Sequence, residues 1–194
     1  MNFPDIPESG SNYMSLESGE NRIRILGEPI FGIEYWTPEK KPIRVRWFDR
    51  ETINPATPGA DKQKYFWALP VWNYQTGRVN VLELTQKTIM KAIKALSDDE
   101  EWGDATKYDI VINRTGESLN TEYAVTPKIP KELPAEAKNV WASVKGTLVL
   151  DAIFTGGDPF GGTEIPEVEE KTEKIAEEVS EAAAEEIDIS GIDF

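Results

Sequence analysis

Alternation of polar and apolar side chains runs through the first half of the chain, and it constrains the fold more than any other feature. Residues 22–26, 43–48 and 63–74 each alternate in this way. A period of two is typical of β-strands that bury one face. Residues 30–36 resume the pattern after Gly27, which predicts a long first strand that bends at a glycine so that the sheet can coil.

The hydrophobic period changes in the second half of the chain. Residues 78–84 are predicted to form a β-hairpin with 63–74. Apolar residues at helical spacing predict a helix over 85–97, and two further strands are predicted over 108–114 and 121–126. This order is that of an OB-fold, a five-stranded Greek-key β-barrel. We therefore predict a mostly β fold, a barrel of this type with one or two helices and an extra hairpin extension. A generic α+β sheet has the same order of elements.

Charge is distributed unevenly along the chain. The formal net charge is −14. Residues 151–194 hold fourteen acidic residues against two lysines, whereas residues 22–94 hold thirteen Lys or Arg against seven Asp or Glu. This asymmetry predicts three parts: an N-terminal arm over 1–20, a folded domain over 21–155 and a flexible acidic tail over 156–194.

Two residue types that carry much protein chemistry are missing, because the chain has no Cys and no His. Disulfides, zinc sites built on these residues and His-dependent catalytic triads are therefore excluded. The sequence also has no phosphate-binding loop, so we expect no enzyme, no cofactor and no metal. No apolar run approaches the ~18 residues of a membrane span, and residues 1–18 lack the pattern of a signal peptide. We expect a cytoplasmic protein with no membrane contact.

Aromatic and basic side chains are interleaved most densely between residues 31 and 74, where ten of the nineteen aromatic residues lie. Single-stranded nucleic acid needs this mixture, because bases stack on rings and phosphates follow a positive groove. The predicted DNA-binding residues are Arg22, Arg24, Tyr35, Trp36, Lys41, Arg44, Arg46, Trp47, Lys64, Phe66, Trp67, Trp72, Tyr74 and Arg78.

The same residues have a purely structural interpretation. A barrel needs several buried rings, so about half of these aromatics are expected to point inward, and the arginines then belong to a solvated face. In the third alternating stretch we expect the face that begins with Lys64 and ends with Tyr74 to be the open one. Trp67 lies on the other face and remains a candidate because Pro70, which favours an edge strand or a bulge, can shift the register.

The last eight residues alternate between hydrophobic and acidic side chains and end on Phe194. A terminal ring and a free carboxylate on a flexible tether suit a pocket flanked by basic residues on a partner. We also expect the acidic tail to compete with DNA phosphates for the basic groove. The alternative is a tail that only increases solubility. The predicted partner-binding residues are Ile189, Ile192, Asp193 and Phe194.

Several short stretches between residues 12 and 130 form a recognisable series. They include EYW at 34–36 and FWALPVW at 66–72, and the others are 12–16, 19–26, 81–89, 102–104, 108–111 and 121–123. In this order they resemble bacteriophage single-stranded DNA-binding proteins with an OB-fold. The resemblance implies a protein that coats exposed single strands during DNA replication, recombination or repair.

The end of the tail is similar in kind to the C-terminal tip of bacterial single-stranded DNA-binding proteins, which is acidic, closes on Phe and recruits replication and repair enzymes. Asp188, Asp193 and Phe194 match that tip, whereas its run of consecutive aspartates and its proline before the last Phe are absent. The two resemblances imply single-stranded DNA and replication or recombination proteins as partners, and they leave the oligomeric state open. The alternative function is a protein-interaction module, or a phage factor that mimics nucleic acid and binds no DNA itself.

Overall fold

The computed structural model describes residues 12–162. Eight strands and two α-helices make up most of this part of the chain, together with four short 3₁₀ helices over Trp47–Thr52, Ala60–Lys62, Ser118–Asn120 and Leu150–Thr155. The strands are β1 (Tyr13–Met14), β2 (Gly19–Ile25), β3 (Ile30–Trp36), β4 (Pro42–Arg46), β5 (Lys64–Asn73), β6 (Arg78–Leu84), β7 (Asp109–Thr115) and β8 (Glu122–Pro127). The helices are α1 (Lys87–Asp98) and α2 (Ala135–Val144). The prediction of a mostly β fold is confirmed.

The strands form one mixed sheet in the order β1-β6-β5-β2-β7-β8, and a β3–β4 hairpin branches from it through β5. The sheet does not close into the predicted barrel. Closure would require β6 to pair with β8, but β6 pairs instead with β1, in parallel, with Tyr13 opposite Val81. Helix α1 packs against both β6 and β8 and lies where the closing pair would be.

The predicted bend of the long first strand is present between β2 and β3. Both strands pair with β5, which places Ile25 opposite Val71 and Ile30 opposite Ala68. Pro70 lies between these two pairs, and its carbonyl oxygen accepts a hydrogen bond of 2.9 Å from the backbone nitrogen of Leu26.

Of the two predictions for Pro70, an edge strand or a bulge, the edge position is wrong, because β5 has neighbours on both sides. The ladder is nevertheless interrupted opposite Pro70, where residues 26–29 of the bend face residues 69–70 of β5. The nitrogen and the carbonyl oxygen of a strand residue point to the same side. The missing N–H of Pro70 therefore faces the bend, where the ladder is already interrupted between β2 and β3, and no ladder hydrogen bond is lost.

Two hydrophobic clusters lie on opposite faces of the sheet. Under α1, Ile23 and Leu69 pack with the helix residue Ile89 and the β7 residue Ile110. On the other face α2 and the segment over 150–160 cover β5 and β6, and this second cluster contains Phe66, Trp72, Val140, Ile153 and Phe160. The face of β5 that we predicted to be open is therefore mostly covered.

The ends of the described part are built into the fold. Met14, in the predicted arm, is buried in the cluster under α1. At the other end Phe160 has no exposed surface, and the carbonyl oxygen of Pro159 accepts a hydrogen bond of 2.8 Å from the backbone nitrogen of Val149. Residues 12–20 of the predicted arm and 156–162 of the predicted tail thus belong to the domain. None of the helices within 12–162 combines the length and apolarity needed to cross a membrane.

Candidate nucleic-acid interface

Five of the predicted DNA-binding side chains are buried in the structure. The aromatic ones are core residues, because Phe66 and Trp72 pack under α2 and Tyr35 packs in a third cluster with Ile33, Ile53 and Ala60. A buried ring cannot stack on a base. The prediction that these three side chains bind DNA is therefore wrong, and they belong to the hydrophobic core. The buried set is Arg24, Tyr35, Phe66, Trp72 and Arg78.

Four predicted arginines already have carboxylate partners. Arg22 and Arg24 both bind Asp109, at 2.5 and 2.6 Å. Arg46 binds Asp151 at 2.8 Å, and its guanidinium lies 4.9 Å from the ring centre of Phe154. A phosphate would have to compete with these carboxylates, so the basic stretch seen in the sequence does not translate into an equally basic surface.

The partner of Arg22 and Arg24 is the most constrained carboxylate of the site. Asp109 is fully buried and also accepts a hydrogen bond of 2.9 Å from the hydroxyl of Tyr74. Burial alone would raise the pKa of Asp109, but the hydrogen bonds from Arg22 and Tyr74 and the charges of both arginines hold it below its ordinary value. Burial and the bond to Asp109 raise the pKa of Tyr74 to about 12. Arg24 and Tyr74 thus have a structural role, because both bind Asp109 at the start of β7.

Arg44 is the centre of a second polar cluster. Its guanidinium binds Glu34 at 3.0 Å and Glu83 at 2.8 Å. Burial raises the pKa of Glu83, although Arg44 opposes that shift. Glu34 also accepts a hydrogen bond of 2.9 Å from the indole nitrogen of Trp36. Trp36 is 50% exposed, and this bond fixes its orientation at the end of β3.

Lys41 and Lys64 are exposed and form no salt bridge with any residue of the described part. They keep their predicted status as accessible cations. Trp47 and Trp67 are partly buried. Both belong to a set of rings on the face of β3 and β5 that lies opposite to Phe66.

This set, the aromatic strip, consists of Phe31, Trp47, Phe48, Tyr65 and Trp67. Trp47 meets Tyr65 edge to face, with ring centres 5.2 Å apart. Phe31 lies 6.4 Å from Phe48 and 6.4 Å from Tyr65. Phe31 pairs with Trp67 across the β3–β5 ladder, so Trp67 continues the strip towards α1.

Local structure explains how the strip forms. Phe31, Tyr65 and Trp67 share a face because alternate residues of paired strands point to the same side. The 3₁₀ helix after β4 then brings Trp47 and Phe48 back over that face. Phe48 is 81% exposed and Phe31 is 38% exposed, so two rings of the strip offer accessible apolar surface.

Arg50 supplies a positive charge at the strip. Its guanidinium lies 4.5 Å from the ring centre of Trp47 and donates a hydrogen bond of 2.9 Å to the backbone oxygen of the same residue. Lys62 ends the 3₁₀ helix whose first residue, Ala60, packs beneath Trp47 and Tyr65. Both cations are exposed, and neither forms a salt bridge within residues 12–162.

Sequence reasoning missed Phe31, Phe48, Tyr65 and Arg50 as site residues. The alternation that led us to predict Phe66 and Trp72 also indicates Phe31 and Tyr65. These two residues lie on the opposite face of the paired strands. The position of Phe48 and Arg50 depends on a single 3₁₀ turn after β4, which the alternating pattern over 43–48 did not indicate.

The predicted partner-binding residues Ile189, Ile192, Asp193 and Phe194 lie outside the described residues. Within 12–162, no group of three or more acidic side chains is placed to hold a metal ion. Comparison with protein-family models, with curated proteins and with solved structures gave no match.

Proposed function

We propose that this protein binds single-stranded DNA without sequence specificity, and that the aromatic strip is its base-stacking surface. The observation that carries the proposal is the exposure of Phe31 and Phe48 in a strip where the guanidinium of Arg50 lies against Trp47 and forms no salt bridge within residues 12–162. Every base has a π-face, so a row of rings beside cations suits any sequence. Trp36, Lys41 and Lys64 are predicted residues that are exposed, and the two lysines form no salt bridge within residues 12–162, so all three are available for additional contacts.

The fold supports this function by its order of elements. An OB-fold has the same order of elements as the bent pair β2–β3 followed by β5, β6, α1, β7 and β8. We regard the sheet as an open variant of that fold, with the β3–β4 hairpin as its extension. OB-folds often hold oligonucleotides on one face of the sheet. A role in phage DNA replication, recombination or repair, with partner recruitment through the Phe194 tip, rests on the sequence resemblance alone.

Fluorescence anisotropy with labelled oligo-dT and the full-length chain tests the proposal. Stacking contributes roughly 1–3 kcal/mol per base, so Phe48→Ala and Phe31→Ala are each expected to weaken binding by about 5- to 150-fold. The control is Leu119→Ala, which removes an exposed apolar side chain from the β7–β8 turn, outside the strip, and should leave the affinity unchanged.

Salt dependence tests the electrostatic half of the proposal. Arg50→Ala is expected to weaken binding. The slope of log affinity against log salt should also decrease by about one, which corresponds to the loss of one phosphate contact. Lys128→Ala, an exposed cation after β8, is the control and should change neither. If the intact chain does not bind oligo-dT at low salt, the proposal is wrong, and the exposed rings then favour the alternative of a protein-interaction module.

A further inference from the structure

A cleft of about 440 Å³ opens where the aromatic strip ends. Its walls are the bend between β2 and β3, the middle of β5, the second half of α1 and the loop that precedes β7. This volume falls within the range of about 300–1,000 Å³ that is usual for small-molecule sites. The cleft therefore has room for a nucleoside-sized group.

The floor of the cleft is apolar. Ile25, Leu69 and Ile93 are buried side chains of the cluster under α1, and Trp67 lies beside them, partly exposed. Because Trp67 pairs with Phe31 in the strip, a strand stacked on the strip would bring its next bases to the mouth of the cleft. The floor offers apolar and aromatic surface to a flat ring, which is the ordinary environment for a bound base.

The rim of the cleft carries acceptors of hydrogen bonds rather than unpaired cations. Glu28, Asp98 and Asp104 contribute carboxylates. The cation Lys94 is engaged by the two carboxylate oxygens of Asp98 at 2.7 and 2.9 Å. Hydrogen bonds from Thr106 hold the pKa of Asp104 below its ordinary value, so this carboxylate is charged at neutral pH.

This rim discriminates by charge. Because Lys94 neutralises Asp98, the excess negative charge of the rim comes from Glu28 and from Asp104. The Oδ1 of Asp104 accepts from Thr106, and its Oδ2 lies 3.9 Å from Lys107 Nζ. A phosphate is repelled by this excess charge, whereas an exocyclic amino group finds acceptors in the carboxylates of Glu28 and Asp104. Carboxylates of Asp and Glu accept from the N4 amino group of cytosine, and adenine carries an equivalent donor at N6. Thymine presents carbonyl oxygens and a methyl group in the place of that donor.

We infer that this cleft, the base pocket, receives one unstacked base with an exocyclic amino group from the DNA strand held on the aromatic strip. The base lies against Trp67 and Ile93, its amino edge meets the carboxylates of the rim, and the phosphates stay on the side of the strip. The inference rests on the proposed function, and it adds to it a preference for cytosine or adenine over thymine at one position of the bound strand.

Nucleoside titration tests the pocket independently of DNA binding. The indole N–H signal of Trp67 is assigned with Trp67→Phe and followed by NMR in the full chain while deoxycytidine or thymidine is added at millimolar concentrations. We expect deoxycytidine to shift this signal and thymidine to leave it in place. No shift with deoxycytidine, or equal shifts with both nucleosides, would overturn the inference.

A blocking variant and a matched control localise the effect. Ser97→Trp places an indole at the mouth of the cleft. Ala95→Trp places the same side chain two residues earlier on α1, on the opposite side of the helix, because the spacing of two residues corresponds to more than half a turn. We expect Ser97→Trp to abolish the deoxycytidine shift and Ala95→Trp to preserve it; loss of the shift in both variants contradicts the assignment to the cleft.

Oligonucleotides then separate this inference from the proposed function. Replacing one thymidine of oligo-dT by deoxycytidine should tighten binding about tenfold in the intact chain, and Ser97→Trp should remove that gain while keeping the affinity for oligo-dT. Tight oligo-dT binding without any gain from deoxycytidine overturns the pocket and leaves the proposed function standing. A Trp67 shift caused by a lysine-rich apolar peptide, but by neither nucleoside, overturns the pocket in favour of a protein-docking site.

Discussion

The hydroxyl of Tyr74 donates a hydrogen bond of 2.9 Å to the buried carboxylate of Asp109, and each group alters the protonation of the other. Because the bond requires the phenol proton, the pKa of Tyr74 rises to about 12, with burial as the larger cause. The folded state binds this proton more tightly than the unfolded state. Its contribution to stability is complete below pH 10 and is lost as the pH rises from there towards 12.

Alkaline titration of the tyrosinate absorbance checks this relationship. In the intact chain we expect one tyrosine to ionise near pH 12, and Tyr74→Phe should remove that last step. The same titration in guanidinium chloride is the control, since unfolded tyrosines ionise near pH 10. A late step that persists in Tyr74→Phe would show that another residue causes it.

Among the carboxylates, Asp109 is expected to contribute most to the free energy of unfolding. Asp109→Asn leaves Arg24, which is 2% exposed, without its charge partner, and breaking a buried pair from one side costs about 3–5 kcal/mol. Asp98→Asn removes the exposed pair with Lys94 and should cost about 0.5 kcal/mol or less. Urea denaturation of both variants measures the difference; similar midpoints would contradict the structural role of Asp109.

Asp109 also predicts how acid affects stability. Its pKa in the folded state lies below the ordinary 3.8, so its stabilisation is present above that pH and is lost as the pH falls through the lower, folded-state value. We expect Asp109→Asn to flatten the acid limb of the stability curve, measured by thermal unfolding between neutral pH and acid. An unchanged acid limb would mean that other carboxylates control it.

The boundary between domain and tail is expected to lie after Gly162 rather than at Gly156. Phe160 has no exposed surface and packs under α2 with Ile153, so Phe160→Ala should cost about 3–5 kcal/mol. A chain shortened to Gly162 keeps this ring and should keep the melting temperature of the full chain, whereas one shortened to Gly156 should melt at a lower temperature. Equal melting temperatures for the two shortened chains would refute this boundary.

The same shortened chain tests the acidic tail. If the tail competes with phosphates for the strip, the chain that ends at Gly162 should bind oligo-dT as tightly as the full chain or more tightly, with the larger difference at low salt. Weaker binding after shortening would instead assign a DNA contact to the removed residues.

Alternation in the sequence predicted the strands from β2 to β8 and sorted their side chains into two faces, but it did not predict β1, which lies in the predicted arm. It did not indicate which face would be covered. Phe66 and Trp72 are buried because α2 and the segment over 150–160 return to β5 and β6, and these elements follow β5 by more than sixty residues. On the other face Phe31 stays 38% exposed beside Phe48, whereas Tyr65 is partly buried against Trp47 and the cluster under α1.

Charge is the second property that the sequence revealed only in part. The basic excess over 22–94 is real, but its effect depends on contacts between distant residues. Arg24 and Asp109 lie 85 residues apart in the chain and meet because β2 pairs with β7. A count of Lys and Arg cannot separate such buried pairs from accessible cations such as Arg50.

Gly59 offers a test of how the loop before β5 packs against Trp36 at the end of β3. Its φ is +89°, and a Cβ added there would collide with the backbone oxygen of Trp36. Gly19 has nearly the same φ, +91°, but open space around it. Gly19→Ala should therefore cost only the conformational strain of about 1–2 kcal/mol. Gly59→Ala should cost more, because the backbone of Trp36 or of the loop must also move.

The two unfolding free energies are compared in urea. The fluorescence emission of Trp36, identified with Trp36→Phe, should change in Gly59→Ala alone. Equal costs for both substitutions would show that the loop relaxes without moving Trp36.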